Sequence, residues 1–210
     1  FKSLSMRKSN YAEQLYEKIW KTKGARFVAH KRLEHINQLS NWAVSLNSIY
    51  VIIASLLSIK PFSAYSRIAP EYLALITIFL SLIIIVLSLI ENSKNYKAKA
   101  DSLHQCGKDL NIQYEKLSQI MDKYGKNIEA TNEIEEIGNR YQLILDKYPE
   151  NHLSIDYEFF IASNKDLYDN KFLAFFIRAK IWLYVRIPYY AAILIPFLFF
   201  LFFGISQDVN

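Results

Sequence analysis

The sequence is poor in cysteine and lacks the short motifs that mark most enzymes. Its 210 residues contain one cysteine and five glycines. Cys106 alone can form neither an intramolecular disulfide nor a thiolate zinc cage, and it is typical of a chain whose soluble part lies in a reducing cytosol. No phosphate-binding loop, dinucleotide-binding fingerprint, zinc-protease motif or nucleophile elbow occurs. We therefore expect no enzyme, no catalytic residue, no metal site and no cofactor.

What the sequence does contain is apolar residues gathered into blocks. Hydrophobic residues make up 52% of the chain, yet it also carries 25 lysines and arginines. In the helices and strands of a soluble protein, apolar residues recur at the spacing that places them on the side facing the core. A helix that crosses a bilayer instead requires a continuous apolar run. The first forty residues hold no apolar run of signal-peptide type, so we expect no cleaved signal. The composition indicates an integral membrane protein.

Three blocks are long enough to be considered as membrane spans. Residues 42–59 and 72–90 carry no charge, and each can cross a hydrocarbon core of roughly 30 Å. The segment between them contains two prolines, which predicts a tight turn and an antiparallel hairpin. The third block, 187–205, is rich in phenylalanine and contains two prolines, which membrane helices tolerate. We interpret it as a third span; a re-entrant or surface-lying segment is the alternative.

The distribution of lysine and arginine predicts the orientation. These residues are concentrated in 1–32, directly after the second block and directly before the third. By the positive-inside rule the N-terminus and residues 92–186 face the cytoplasm. Anionic lipid headgroups would attract the same residues, so the basic pI requires no direct nucleic-acid binding. The predicted division is cytoplasmic helices 1–41, transmembrane hairpin 42–91, cytoplasmic extension 92–186, and third segment with tail 187–210.

In the predicted cytoplasmic part, apolar residues recur at the spacing typical of helices that pack against one another. Two stripes alternate steps of four and three residues: Tyr96, Ala100, Leu103, Gly107, Leu110, Tyr114, Leu117 and Met121, then Ala130, Ile134, Ile137, Tyr141, Ile144 and Tyr148. Such stripes predict two helices joined by a turn near Gly125. The first should leave the membrane unbroken, because no glycine or proline follows the second block closely. The predicted fold is an all-α membrane protein with a transmembrane hairpin and a cytoplasmic helical bundle or coiled hairpin.

Polar residues within the first two blocks fall on one face of each helix. The first block carries Ser45, Ser48 and Ser55, and the second carries Thr77, Ser81 and Ser88, extended by Glu91 at the cytoplasmic end. Small hydroxyl residues let membrane helices approach closely, and we favour that interpretation. The alternative is that the stripes line a water path in an oligomer. Both are compatible, because a seam in a closed oligomer can become the wall of an open pore.

Two segments give the chain a family resemblance. The helix after the second block reads Tyr96-Lys-Ala-Lys-Ala100, and a later segment reads Tyr148-Pro-Glu-Asn-His-Leu-Ser-Ile-Asp-Tyr157. Together with the basic N-terminal helix and the hairpin, they resemble the SLATT domain, a two-transmembrane effector module of bacterial conflict systems. The resemblance covers about residues 10–165. The third apolar block is a variation on its two-span plan.

The resemblance implies a function that composition alone does not. SLATT proteins are thought to be antiphage effectors that oligomerise, breach the inner membrane and arrest the infected cell. A nucleotide second messenger, a nucleotidyltransferase or a defence reverse transcriptase is the expected trigger or partner. His152 and Asp156 match the family-like segment, and we favour a helix cap or a turn hydrogen bond for both. The alternative function is a non-conducting membrane anchor that recruits a cytoplasmic partner through its helical hairpin.

Overall fold

The computed structural model describes residues 11–59, 68–124, 132–164, 171–199 and 201, and every regular element in these ranges is a helix. They are α1 (Tyr11–Leu57), α2 (Pro70–Lys94), α3 (Tyr96–Tyr124), α4 (Asn132–Lys147), α5 (Ser154–Ser163) and α6 (Lys171–Phe199). The predicted all-α class is confirmed. The two predicted turns, before α2 and after α3, fall largely on residues 60–67 and 125–131, which lie outside the described ranges.

The chain divides into two compact units. The polar unit comprises the described residues up to Leu33 and those from Lys97 to Ile181. The apolar unit comprises Glu34–Tyr96 and the described residues from Trp182 onward. Helix α1 is continuous over 47 residues and contributes to both units. This one helix includes the described part of the predicted N-terminal region 1–41 and most of the first apolar block, 42–59.

The core of the polar unit follows the predicted stripes. On α3 the buried residues include Leu103, Leu110 and Leu117, and on α4 they include Ile134 and Ile137. The first three turns of α1 supply Ala12, Leu15 and Ile19 to the cluster that contains Leu110, Leu117, Ile134 and Ile137. Burial of one stripe per helix is what an amphipathic helix requires, since its opposite face remains in water. The heptad prediction is confirmed on the described parts of both helices.

Helices α2 and α3 are separated by a single residue. Asn95 has φ 46° and ψ 49°, in the left-handed region, and its N–H donates to the Glu91 carbonyl at 3.0 Å. Asparagine enters this region more readily than other residues with a Cβ, because its short polar side chain bonds locally. The prediction of an unbroken helix was wrong at this residue, since it considered only glycine and proline as breaks.

The apolar unit presents hydrophobic side chains to its surroundings. Three described helices, α1, α2 and α6, are long and apolar enough to cross a membrane. The most apolar window lies in α2, where only 11% of residues are buried within the protein and Phe79 is 71% exposed. In water such a surface would be strongly unfavourable, whereas lipid tails cover it at no cost. The chain is an all-α membrane protein.

A buried asparagine joins two of the apolar helices. Asn47 of α1 is completely buried, and its side-chain amide donates to the carbonyls of Ala43 at 2.7 Å and Ala192 at 3.2 Å. Ala192 lies in α6, so α6 packs against α1 within the apolar unit. Earlier in both helices, Arg186 of α6 donates to His35 of α1 at 2.8 Å. Hydrogen bonds of this kind hold helices together where no hydrophobic driving force acts.

Candidate functional site

Three of the six hydroxyls in the stripes of α1 and α2 form hydrogen bonds within their own helices. Ser48 donates to the Val44 carbonyl at 2.9 Å, and Thr77 and Ser81 donate to the carbonyls four residues earlier at 2.9 and 2.8 Å. Ser55 and Ser88 are half-buried, and Ser45 is exposed. A hydroxyl that donates to a carbonyl of its own helix has a low free-energy cost of transfer into lipid. Its oxygen can still accept a hydrogen bond from water or from a neighbouring helix. The geometry is compatible with both a packing seam and a water path.

Glu91 lies at the end of α2, where α2 approaches α6. Its side chain is half-buried, and one carboxylate oxygen, Oε1, has no hydrogen-bond partner among the described residues. Tyr189 of α6 lies within electrostatic range and hydrogen-bonds Tyr96. A carboxylate beside two tyrosines marks the polar border of the apolar unit, since a charge further inside would be costly.

A two-point ion pair joins α1 to α5 in the polar unit. Arg32 donates to both oxygens of Asp156, from Nε at 2.7 Å and from Nη2 at 3.0 Å. Asp156 is completely buried and also accepts the backbone N–H of Leu153 at 2.8 Å, at the start of α5. The carboxylate therefore closes the first turn of α5 and ties that helix to α1. Sequence reasoning identified the aspartate but not its arginine.

His152 occupies the connection between α4 and α5. Its backbone N–H donates to Asn151 Oδ1 at 2.9 Å, and its buried Nδ1 has no hydrogen-bond partner among the described residues. Burial lowers the pKa of the imidazole, the charge of Arg26 acts in the same direction, and Asp156 opposes both. A neutral ring is therefore favoured at neutral pH.

Acidification should destabilise the protein through His152. Because its folded-state pKa lies below the usual 6.5, the unfolded chain takes up a proton more readily. The contribution of the neutral imidazole to the free energy of unfolding is therefore complete above the usual pKa of 6.5, and it is lost as the pH falls from there through the folded-state pKa. We expect His152→Gln to lose less melting temperature than the wild type between neutral pH and about pH 5. Equal losses, measured by thermal unfolding in phosphate-free detergent buffer, would contradict this assignment.

Among the described residues no three histidine, cysteine, aspartate or glutamate side chains converge as a metal site requires. His30 donates from Nδ1 to the Ala100 carbonyl, 2.9 Å away, and its ring centroid lies 4.5 Å from that of His104. Cys106 is completely buried in the core. Burial raises the pKa of its thiol, which keeps the sulfur protonated and unreactive at neutral pH.

Comparison with known proteins places the chain in one family. The SMODS and SLOG-associating 2TM effector domain family 5 matches residues 8–202, nearly the whole sequence. The match extends well beyond the 10–165 of the initial resemblance and includes α6, so the third apolar helix is not an addition outside the family's limits. Neither a curated protein nor a solved structure matches the chain. The chain belongs to the SLATT domains, as a SMODS and SLOG-associating 2TM effector domain of family 5.

Proposed function

We propose that this protein is the membrane effector of a bacterial antiphage defence system, which oligomerises on activation and opens or disrupts the inner membrane to abort the infection. The observation that carries the proposal is the combination of the family match with three helices whose apolar side chains face outward. A surface of that kind requires cover by lipid or by other protein surfaces, further copies of the chain included.

The continuity of the helices supplies a route from a trigger to the membrane. Helix α1 passes from the polar unit into the apolar unit without a break, and α2 passes into α3 through Asn95 alone. A change in the packing of α1 and α3 would therefore act directly on both predicted spans of the hairpin. Packed helices shift between discrete arrangements rather than deforming continuously, which suits a switch.

The proposed topology places the polar unit in the cytoplasm. The hairpin 42–91 is the membrane-breaching part, and 187–210 contains a third span that runs beside α1. The hydrogen bond from Asn47 to the Ala192 carbonyl supports that third span, because it joins α6 to the first apolar block. The proposed partners are further copies of the chain and a defence-system protein or nucleotide second messenger that acts on the polar unit.

Induced expression together with the activating system should depolarise bacterial cells. We expect a voltage-sensitive dye to report loss of membrane potential, and purified protein in liposomes to release a trapped ion under the same activation. The physical reason is that a water path through the oligomer removes the barrier that hydrocarbon presents to ions. An intact potential under full activation would refute the proposed function.

Cysteine substitution should distinguish a water path from a packing seam. The native Cys106 is buried and its thiol pKa is raised, so the wild type provides a low background for a charged, membrane-impermeant thiol reagent. We expect Ser81→Cys to be modified only in the active state. Leu82→Cys is the matched control, because its side chain is 54% exposed on the apolar surface of α2 and faces lipid. Modification at neither position would favour the packing interpretation.

The alternative, a non-conducting anchor, is favoured by a groove on the polar unit. A cavity of about 350 Å³ lies between α3 and α4, with charged side chains and Ile120 along its walls. Gln113 contributes to its lining and is buried, with its Oε1 unpaired among the described residues. Under this function, charge reversal at Lys116 abolishes activity, whereas replacing Ser48 and Ser81 by leucine leaves it unchanged. The effector proposal expects the leucine variant to lose conductance.

A further inference from the structure

An arginine that forms no ion pair among the described residues lies where α6 becomes uncharged. Arg186 is half-buried in the apolar unit, and the rest of α6, 187–199, carries no charged side chain. On α1 the last charged residue is Glu34, and the part of the helix after His35 carries none. The hydrogen bond between Arg186 and His35 therefore joins the two helices where both lose their charges. In a membrane, such a border lies at the level of the lipid headgroups.

The guanidinium of Arg186 is held by a histidine and by an aromatic ring. Its Nε donates to Nε2 of His35 at 2.8 Å, so this ring nitrogen must be unprotonated. The guanidinium carbon lies 5.0 Å from the centre of the Trp182 ring, within the range of a cation–π contact. The centre of the Tyr190 ring lies 6.2 Å from that of Trp182. These contacts fix the guanidinium without neutralising it, because none of the three side chains is an anion.

The two terminal nitrogens of Arg186 remain available to a ligand. No hydrogen bond among the described residues uses Nη1 or Nη2, and neither atom is a buried polar atom without a partner. Both nitrogens therefore reach the outside of the protein. Trp182 and Tyr190 lie four residues before and after Arg186 on the same face of α6, and both are exposed. The face thus presents a fixed cation with two outward donors, which suits an anion with two acceptor oxygens.

We propose that Arg186, with Trp182 and Tyr190 beside it, binds the phosphate of an anionic phospholipid headgroup. Phosphate oxygens match the fork of a guanidinium, and a headgroup of net negative charge supplies the anion that the described residues do not. Tryptophan and tyrosine rings are suited to the headgroup level, because one end is apolar and the other polar. The exposed Ile187 follows directly and would contact the acyl chains, which favours a lipid over a soluble anion. The site does not depend on whether the protein breaches membranes.

Fluorescence quenching at Trp182 tests the site in the resting protein. The full chain carrying Trp20→Phe and Trp42→Phe is reconstituted in phosphatidylcholine, and phosphatidylglycerol with brominated acyl chains is added as the quencher. Brominated phosphatidylcholine is the reference. We expect phosphatidylglycerol to bind beside Trp182 about fivefold more tightly, the preference that one basic residue near an anionic surface provides. No activating system is present, so the result is independent of the depolarisation that tests the proposed function.

Variants separate a specific site from a general attraction of basic residues to anionic lipid. Arg186→Gln should abolish the preference for phosphatidylglycerol, because the amide is polar but uncharged. Lys180→Gln is the matched control: Lys180 is an exposed cation on the same helix, so its removal should leave the preference intact. His35→Leu should lower the preference only in part, because the guanidinium keeps its charge but loses the acceptor that fixes it. If the tryptophan-substituted chain does not fold, thermal unfolding of the variants in detergent with either lipid replaces quenching.

Inorganic phosphate distinguishes a lipid headgroup from a soluble anion. In detergent at constant ionic strength, phosphatidylglycerol should raise the melting temperature of the wild type, since a ligand that binds only the folded state stabilises it, whereas inorganic phosphate should not. An equal rise with inorganic phosphate would overturn the lipid site in favour of a soluble oxyanion.

Three further results would overturn the lipid site. One is a wild type that binds the two lipids equally beside Trp182. Another is a preference for phosphatidylglycerol that Lys180→Gln reduces as much as Arg186→Gln does. The third is an Arg186→Gln protein that keeps the full preference; if it also forms smaller oligomers in detergent, this face of α6 contacts a second copy of the chain instead.

Discussion

Replacing Asp156 by alanine is expected to destabilise the polar unit by about 3–5 kcal/mol, the cost of breaking a buried ion pair by removing one partner. The substitution leaves Arg32, whose side chain is only 10% exposed, without its two carboxylate acceptors. It also leaves the Leu153 N–H at the start of α5 without its acceptor. Chemical denaturation in detergent, followed by far-UV circular dichroism, measures the effect.

Two further variants show whether the cost comes from the stranded charge. Removing both partners, as Arg32→Met with Asp156→Ala, should recover part of the loss, because no unpaired charge remains buried. Lys97→Ala removes a partner of Asp101 in an exposed pair and should change stability by less than about 0.5 kcal/mol. Equal losses for Asp156→Ala and Lys97→Ala would contradict the structural role assigned to the buried pair.

Gly24→Ala is expected to destabilise the protein by about 1–2 kcal/mol, although alanine is the better helix former by about 1 kcal/mol. A Cβ at this position would overlap the ring of Phe160, which lies directly against the glycine. The ring is also held by Trp20, at a centroid distance of 4.6 Å, so it cannot move without disturbing the contact between α1 and α5. Thermal unfolding measures the change.

Gly138→Ala is the matched control, and it should not lower the stability of the protein. Its Cβ would lie 2.5 Å from the hydroxyl of Tyr11, the end of a side chain that is 46% exposed and can rotate away. We expect this variant to be unchanged or stabilised by about 0.5–1 kcal/mol, through helix propensity alone. Phe160→Leu should rescue Gly24→Ala by making room for the Cβ. Destabilisation of both glycine variants to the same extent would contradict the close approach of α5 to α1.

The membrane character of the chain follows from local sequence. A run of residues such as 72–90, without a charge, is apolar on every face of a helix, and only lipid or a large core accepts such a helix. The stripes of α3 and α4 are equally local, because residues three and four apart on a helix share a face. These signals need no knowledge of which helices meet, so the all-α membrane class could be predicted before any contact was known.

The specific contacts of the candidate sites could not be predicted in this way. The Arg32–Asp156 pair joins residues 124 positions apart, and the bond from Asn47 to Ala192 joins residues 145 apart. Among 25 lysines and arginines, no sequence pattern distinguishes Arg26, which is buried, or Arg32, whose side chain is 10% exposed, from those in solvent. Only the packing of α1 against α3 and α5 decides that.

The sequence by itself determined which segments are apolar enough to enter lipid and which face of each charged helix is buried, because both depend on the spacing of apolar residues along one helix. The tertiary structure alone decided that α6 lies beside α1, that α2 ends at Lys94 with Asn95 as its cap, and that Arg26 is buried with its Nε and Nη1 unpaired among the described residues. The physical reason is that hydrophobic periodicity is a property of one segment. The pairing of two charges and the close approach of a side chain to a glycine each involve two segments, and which segments meet is decided by how the helices pack.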